Sequence, residues 1–227
     1  TLNMARQGLF GDIVHGEGAY IHDLRWDFTY DKNGYADMWR LKENVRNGNL
    51  YPTHGLGPVC QIMNINRGDT MDYLTSLSTN DFAMGKDLEQ LAREDPFYAP
   101  FTGKTYRGNM NTTLIKTTLG RSIMIQHDVS SPRTYSRIHL ISGTKGCASK
   151  WPSPARIALG HSWLPAEKMA EMEALHTPEI VKRVGEMAKA IGGHGGMDFI
   201  MDWRLTDCLR NGLPLDQDVY DAALWSV

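Results

Sequence analysis

The run MNTTLIKTTLGRSIMIQHDV, residues 110–129, decides the fold class of this chain. Two stretches rich in β-branched and apolar residues flank Leu119 and Gly120, and this pattern predicts a β-hairpin. Because side chains alternate across a strand, the second stretch should place Ile123, Ile125 and His127 on one face. An antiparallel pair of this kind is expected to lie inside a larger sheet.

Further strands and helices are predicted on both sides of this hairpin. Strands are expected at 12–22, 71–79, 136–142 and 147–151, and helices at 87–93, 166–190, 197–211 and 216–227, the last capped by Asp216. Residues 23–50 and 152–165 are interpreted as irregular. Strands that are joined mostly by hairpins and grouped between helices predict an α+β domain on a mainly antiparallel sheet.

Composition excludes several classes of protein. The chain has 227 residues and a formal net charge of −2, so it lacks the excess of positive charge that is typical of nucleic-acid-binding proteins. No apolar run reaches the roughly 18 residues of a membrane span. The three cysteines are far apart, and we interpret them as core residues rather than as disulfides or zinc ligands. Neither a dinucleotide-binding nor a phosphate-loop glycine motif occurs, so these residues encode no nucleotide cradle.

The first eleven residues resemble the end of a helix. Leu2, Ala5 and Leu9 fall on one side of a helical turn, which Gly8 and Gly11 would bring to an end. We therefore expect the chain to begin inside a helix, with further protein before it.

A second stretch, residues 48–58, is the strongest candidate for a functional site. It places Tyr51, Thr53 and His54 within four residues of a turn rich in glycine and proline. A helix is predicted to begin at Pro58, and the positive end of that helix would keep the His54 imidazole neutral. A neutral imidazole can accept a proton. The alternative is structural, with His54 bonding the turn and Tyr51 covering the core.

Other candidate residues come from loops. Arg40 offers a fixed cation and Trp39 a flat apolar surface, both useful for binding sugars; alternatively Trp39 is core and Arg40 pairs with a nearby carboxylate. Tyr135 is expected at the rim of the sheet, where ligand-contacting loops emerge. His194, in a glycine-rich break, could face the site or serve packing.

Several segments together resemble a known family. They are HGEGAYIHD at 15–23, NGNLYPTHGLGP at 47–58, QHDVSSPR at 126–133, HGGMDF at 194–199 and CLRNGLPLD at 208–216. These segments are similar to glycoside hydrolase family 109, the NAD-dependent α-N-acetylgalactosaminidases, a bacterial branch of the Gfo/Idh/MocA oxidoreductase-like proteins. The Tyr-Pro-Thr-His run is the most specific part of the resemblance.

The resemblance implies a domain organisation. Residues 1–11 would be the helix linking to a preceding Rossmann domain that holds NAD, and residues 12–227 the substrate-binding and oligomerisation domain, with the C-terminal helices 197–211 and 216–227. It also implies a homo-oligomer formed through the sheet. A periplasmic or secreted location would need an export signal ahead of Thr1. Without the Rossmann domain, the fragment alone is expected to be inactive.

The resemblance further implies a reaction on glycans that end in N-acetylgalactosamine. NAD would remove hydride from C3 of the sugar, a base would take the acidified C2 proton, the C1 substituent would leave, and water addition and hydride return would give net retention. The matching residues would be Tyr51 and His54 as acid/base groups, Arg40, Pro52, Thr53 and Tyr135 as substrate contacts, and Asn3 and Tyr135 as NAD contacts. Two alternatives stay open: a net sugar oxidoreductase of the same superfamily, and a carbohydrate-binding or assembly module without chemistry.

Overall fold

A computed structural model describes residues 1–34 and 37–227, and one mixed sheet dominates it. The strands in the described ranges are β1 (Ile13–Ile21), β2 (Met71–Ser78), β3 (Asn111–Thr117), β4 (Ser122–Asp128), β5 (His139–Gly143), β6 (Gly146–Lys150), β7 (Arg156–Leu159) and β8 (Ser162–Trp163). They lie in the order β2-β3-β4-β1-β5-β6-β7-β8.

Helices precede, interrupt and follow the strands. They are α1 (Leu2–Arg6), α2 (Trp39–Glu43), α3 (Thr53–Met63), α4 (Met84–Glu94), α5 (Ala166–Leu175), α6 (Glu179–Ile191), α7 (Met197–Asn211) and α8 (Val219–Ser226). A π-helical turn spans Arg25–Thr29, and 3-10 turns span Pro96–Phe101 and His194–Gly196. In these described residues no helix is long and apolar enough to cross a bilayer.

The sheet confirms the predicted fold class. All neighbouring strands pair antiparallel except β1 and β4, which are parallel. The predicted hairpin is β3–β4, with Ile115 opposite Ile123. Ile123, Ile125 and His127 are all buried on one face, as alternation predicts. The chain is thus an α+β domain on an open, mainly antiparallel sheet.

Helix α3 packs directly on the central strand β1. A Cβ atom at Gly18 would lie 2.2 Å from the carbonyl oxygen of Gly55, so the two backbones touch. Further along, Val59 and Met63 close over Gly16 and join the main buried cluster with Ile141. Burial of these apolar side chains fixes the N-terminal end of α3 against the end of β1.

A smaller core supports the segment that carries Arg40. Leu41 of α2 is fully buried together with Met84 and Leu88 of α4. The Arg25 guanidinium also ties the π-helical turn to α4, because it binds Asp87 at 3.0 Å. Residues 23–50, interpreted as irregular, therefore contain ordered helical turns.

The start of α3 differs from the prediction. The helix begins at Thr53, and Pro58 lies inside it rather than at its first turn. The glycines of this stretch suggest a turn, but Gly55 instead allows the helix to approach β1. A Cβ atom at Gly55 would lie 2.6 Å from the amide nitrogen of Ala19. His54 is accordingly the second residue of the helix and not a residue ahead of it.

Two further predictions were wrong in detail. Residues 152–165 contain two short strands: β7 pairs with β6, and β8 pairs with β7. Neither pairing could be read from the strands' own pattern. The last helix is capped by Asp218, which accepts from the amides of Tyr220 and Asp221, and not by Asp216. Asp216 instead pairs with Arg204 of α7.

The face of β2 and β3 opposite to α3 is exposed in the described chain. Tyr73, Leu77 and Leu114 point to this face, with 65%, 76% and 50% of their surface accessible. We call this surface the open face. Large apolar side chains on a sheet face usually mark an interaction surface.

Candidate functional site

Tyr20, at the end of β1, is the centre of an aromatic cluster. Its ring centroid lies 5.1 Å from that of Tyr51, 4.9 Å from that of His54 and 6.2 Å from that of Tyr135. The structure thus brings three of the predicted site residues around one residue that the sequence did not single out. The signal was present: alternation in β1 places Tyr20 on the face that its glycines expose to α3.

The N-terminal end of α3 presents Tyr51 and His54 to Tyr20. The rings of Tyr51 and His54 are 4.6 Å apart. The structural alternative requires Tyr51 to cover the core. Tyr51 is instead 43% exposed, which argues against that alternative. The first amides of a helix have no intrahelical acceptor, and the backbone N–H of Thr53 is the first of these. The carbonyl of Pro52 is engaged by the amide of Leu56 at 2.8 Å.

Burial, followed by the positive charge of Arg137 and by His194, holds the pKa of His54 below its ordinary value. The imidazole is therefore neutral near pH 7 and able to accept a proton. The predicted neutrality thus has a different main cause from the helix end. His194 lies close enough to influence His54, and its own Nδ1 is 2.9 Å from the Asp198 carboxylate.

Tyr20 stays protonated at neutral pH. Burial raises the pKa of this phenol, and the neighbouring phenols of Tyr135 and Tyr51 raise it further, while Arg40 and Arg137 oppose the shift. Its oxygen lies 3.1 Å from Nδ1 of His22. Two guanidinium groups therefore act on this phenol, but burial and the neighbouring phenols outweigh them, and the hydroxyl keeps its proton.

Arg40 reaches the cluster from α2. Its guanidinium carbon lies 4.5 Å from the Trp39 ring centroid and 5.7 Å from that of Phe28, so both aromatic rings contribute cation–π contacts. Trp39 is 44% exposed, which argues against a core role and for an available flat surface.

Tyr135 closes the cluster from the segment between β4 and β5. Its ring makes edge contacts with His22 at 5.0 Å and with Trp151 at 5.2 Å. Its hydroxyl oxygen accepts a hydrogen bond from Nε of Arg137 at 2.5 Å. This phenol is therefore held in place from two sides.

His127 backs the cluster from inside the sheet. Its ring is nearly parallel to that of Tyr20, with centroids 6.2 Å apart and planes 21° from each other. It is 2% exposed, and burial together with the nearby Arg107 lowers the pKa of His127 to about 3. The support beneath Tyr20 is therefore uncharged at all ordinary pH values.

The cluster is accessible from outside, because Tyr51 is exposed and Tyr20, His54 and Tyr135 are half-buried. A cavity of about 170 Å³ lies on the other side of the Tyr-Pro-Thr-His run, between α3, α8 and β2–β4, and shares only Pro52 with the predicted residues. Asn3 of α1 donates its amide to the carbonyl oxygen of His176 at 3.0 Å, apart from the cluster. Its contact with NAD stays a prediction.

Comparison with known proteins identifies the family. The profile described as "Glycosyl hydrolase 109, C-terminal domain" matches residues 1–227. An alpha-N-acetylgalactosaminidase of Shewanella oneidensis is 48% identical over 238 residues, and a glycosyl hydrolase family 109 protein 2 of Shewanella sp. strain ANA-3 is 49% identical over 233 residues. Each match covers 100% of this chain and 50% of the relative. The chain thus spans about half the length of these curated relatives.

Solved structures agree on the fold. An aldose-aldose oxidoreductase from Caulobacter crescentus, complexed with glycerol, matches with a TM-score of 0.59 and 14% identity. That match covers 99% of this chain and 53% of the other. A scyllo-inositol dehydrogenase from Lactobacillus casei, with bound NAD(H) and scyllo-inositol, has a TM-score of 0.52 and 12% identity, covering 99% and 54%. The domain therefore has the Gfo/Idh/MocA type of fold. By its sequence, this chain is a C-terminal domain of glycoside hydrolase family 109 and belongs to that family.

Proposed function

We propose that the full-length protein containing this chain is a retaining, NAD-dependent glycosidase that hydrolyses terminal α-N-acetylgalactosamine. The printed name of the Shewanella oneidensis relative supports the substrate. The observation that carries the proposal is the convergence of Tyr51, Tyr135 and a neutral His54 on Tyr20. Phenols and a neutral imidazole are acid/base groups, and the reaction needs both kinds.

The cluster fits one end of NAD and not the whole cofactor. Flat aromatic rings and the Tyr135 hydroxyl suit a nicotinamide ring and its amide, and the described residues contain no glycine-rich phosphate cradle. We assign the nicotinamide contact to Tyr135 and a second NAD contact to Asn3 of α1. The adenosine and phosphates would be held by the half of the protein that this chain does not contain.

NAD, when bound, would supply a reversible hydride acceptor at C3 of the sugar, which is what makes the C2 proton acidic. The chain's own residues do the rest. His54 is neutral and accepts or returns a proton, and Tyr51 beside it can donate one. The charge of Arg40 stabilises negative charge that develops near Tyr20. The Thr53 amide and the Trp39 face hold and orient the sugar.

The test uses the full-length protein with the p-nitrophenyl α-N-acetylgalactosaminide. We expect release of p-nitrophenol with no net accumulation of NADH, because hydride returns in every turnover. Accumulation of NADH in proportion to the oxidised sugar that is formed would instead indicate a net sugar oxidoreductase. Calorimetric binding of N-acetylgalactosamine without either signal would indicate a binding module.

We further propose that a second copy of the chain covers the open face, so that the protein is a homo-oligomer through its sheet. Tyr73 and Leu77 provide the exposed apolar surface for this contact. Replacing both by lysine should dissociate the oligomer in sedimentation velocity, because burying two charges is costly. Leu175→Lys, at an exposed position on α5, is the matched control and should leave the oligomer intact. An unchanged assembly in the double variant would exclude the open face as the interface.

A further inference from the structure

Arg137 is bound into the site from both its main chain and its side chain. Its carbonyl oxygen accepts a hydrogen bond from the amide of Ala19, one residue before Tyr20, at 2.5 Å. Its Nε donates to the Tyr135 hydroxyl at 2.5 Å, and its guanidinium carbon lies 5.8 Å from the centroid of that ring. Arg137 therefore connects two members of the aromatic cluster.

The backbone around Arg137 is strained and doubly anchored. Ile138, the next residue, has φ of 44°, a conformation that β-branched side chains rarely adopt. Ser136, on the other side, pairs with Ile21 through two backbone hydrogen bonds of 2.9 Å, and its hydroxyl accepts from the amide of Ile138. Strain that is held by several contacts is typical of functional sites.

The charge of Arg137 is directed at the cluster. In the described part of the chain, the arginines with a carboxylate within ion-pair distance are Arg25, Arg46, Arg67, Arg121 and Arg204. Arg137 is not among them, and its Nε instead donates to the neutral Tyr135 hydroxyl. Its positive charge is therefore left uncompensated beside the imidazole and phenols.

We propose that Arg137 is a positioning residue for the reaction, acting through Tyr135 and His54. This inference rests on the proposed function. A phenol has one proton and two acceptor positions. Because the guanidinium occupies one acceptor position, the Tyr135 hydroxyl is oriented so that its proton can be donated to an oxygen of the bound sugar. The same charge adds to burial in disfavouring the imidazolium, and so helps to keep His54 in its proton-accepting form.

The first test compares Arg137→Gln with the parent by a double-mutant cycle in the full-length protein. We expect kcat to fall about 10- to 100-fold, the size expected for a charge-assisted hydrogen bond, with KM nearly unchanged. In a Tyr135→Phe background the same change should have much less effect, because its main target is gone. Equal effects in both backgrounds would overturn the action through Tyr135. Arg133→Gln, on the same loop, is the control and should leave kcat unchanged.

The second test does not depend on turnover. The pKa of His54 is measured by NMR in full-length protein with labelled histidine, where the facing groups are Tyr20, Tyr51, Arg137 and His194. We expect Arg137→Gln to raise the pKa of His54 and Arg137→Lys, which keeps the charge, to leave it low. No rise in the Gln variant would overturn the electrostatic part of the proposal. If the Gln variant does not fold, Arg137→Lys decides: it should lose the coupling to Tyr135 and keep the low pKa.

These outcomes separate the inference from the proposed function. A full-length protein that releases no p-nitrophenol would contradict the glycosidase, while the pKa of His54 in the Arg137 variants would still report on the role of Arg137.

Discussion

Replacing His54 by alanine in the full-length protein is expected to lower kcat for the p-nitrophenyl α-N-acetylgalactosaminide by about 10²- to 10⁴-fold, the range of general acid–base catalysis. The free energy of unfolding should change by no more than about 1 kcal/mol, because the side chain is only half buried at the start of a helix. Steady-state kinetics and urea denaturation on the same samples check both quantities. His161→Ala, in the turn between β7 and β8, is the matched control and should change neither.

The pH dependence of the reaction provides a second readout of His54. Its pKa in the folded protein lies below the ordinary value near 6.5, so the imidazole is protonated only when the pH falls below that region. The acid limb of kcat/KM should therefore appear below about pH 6.5 and should be lost in the His54→Ala variant. If activity and stability fall together in that variant, His54 has a structural role.

Replacing Gly18 by alanine is expected to destabilise the domain by at least about 3 kcal/mol, because the added Cβ would overlap backbone atoms of Gly55. Backbone cannot move away by a rotamer change, so α3 must separate from β1. This movement would displace Tyr51 and His54 from Tyr20, and activity should be lost even in molecules that remain folded.

The matched control for Gly18 is Gly185, a glycine inside α6. Its added Cβ would meet only a Val181 methyl group at 3.3 Å, and alanine favours the helix by up to about 1 kcal/mol. Gly185→Ala should therefore be neutral or slightly stabilising in urea denaturation. A loss of less than about 1 kcal/mol in Gly18→Ala would show that the contact between α3 and β1 is not as close as described.

Local pattern was sufficient for much of the fold. The β3–β4 hairpin, β1, β2 and α7 were predicted because each has its own alternation or helical periodicity and is bounded by turn residues. The α+β class followed from the hairpins. Tyr51, His54, Tyr135 and Arg40 were identified from their residue types and from the family resemblance, and the structure places them around Tyr20.

Tertiary contacts account for what the sequence did not predict. Glycines at 55 and 57 are turn formers in isolation. They lie inside α3 because β1 approaches Gly55 and because Trp225 of α8 packs on Gly57. Strand β7 is defined by its pairing with β6 rather than by its own four residues. Tyr20 and Arg137 were missed because their importance lies in contacts with residues that are distant in sequence.

The central claim is that these residues serve a reaction in which the C2 proton of the sugar is removed and returned. The most direct measurement is hydrolysis of the p-nitrophenyl α-N-acetylgalactosaminide by the full-length protein in heavy water, with NMR analysis of the released sugar. The account predicts deuterium at C2 of the product, and much less product in the His54→Ala variant. Released sugar that retains its original hydrogen at C2 would contradict it, because direct displacement at C1 leaves the C2 bond intact.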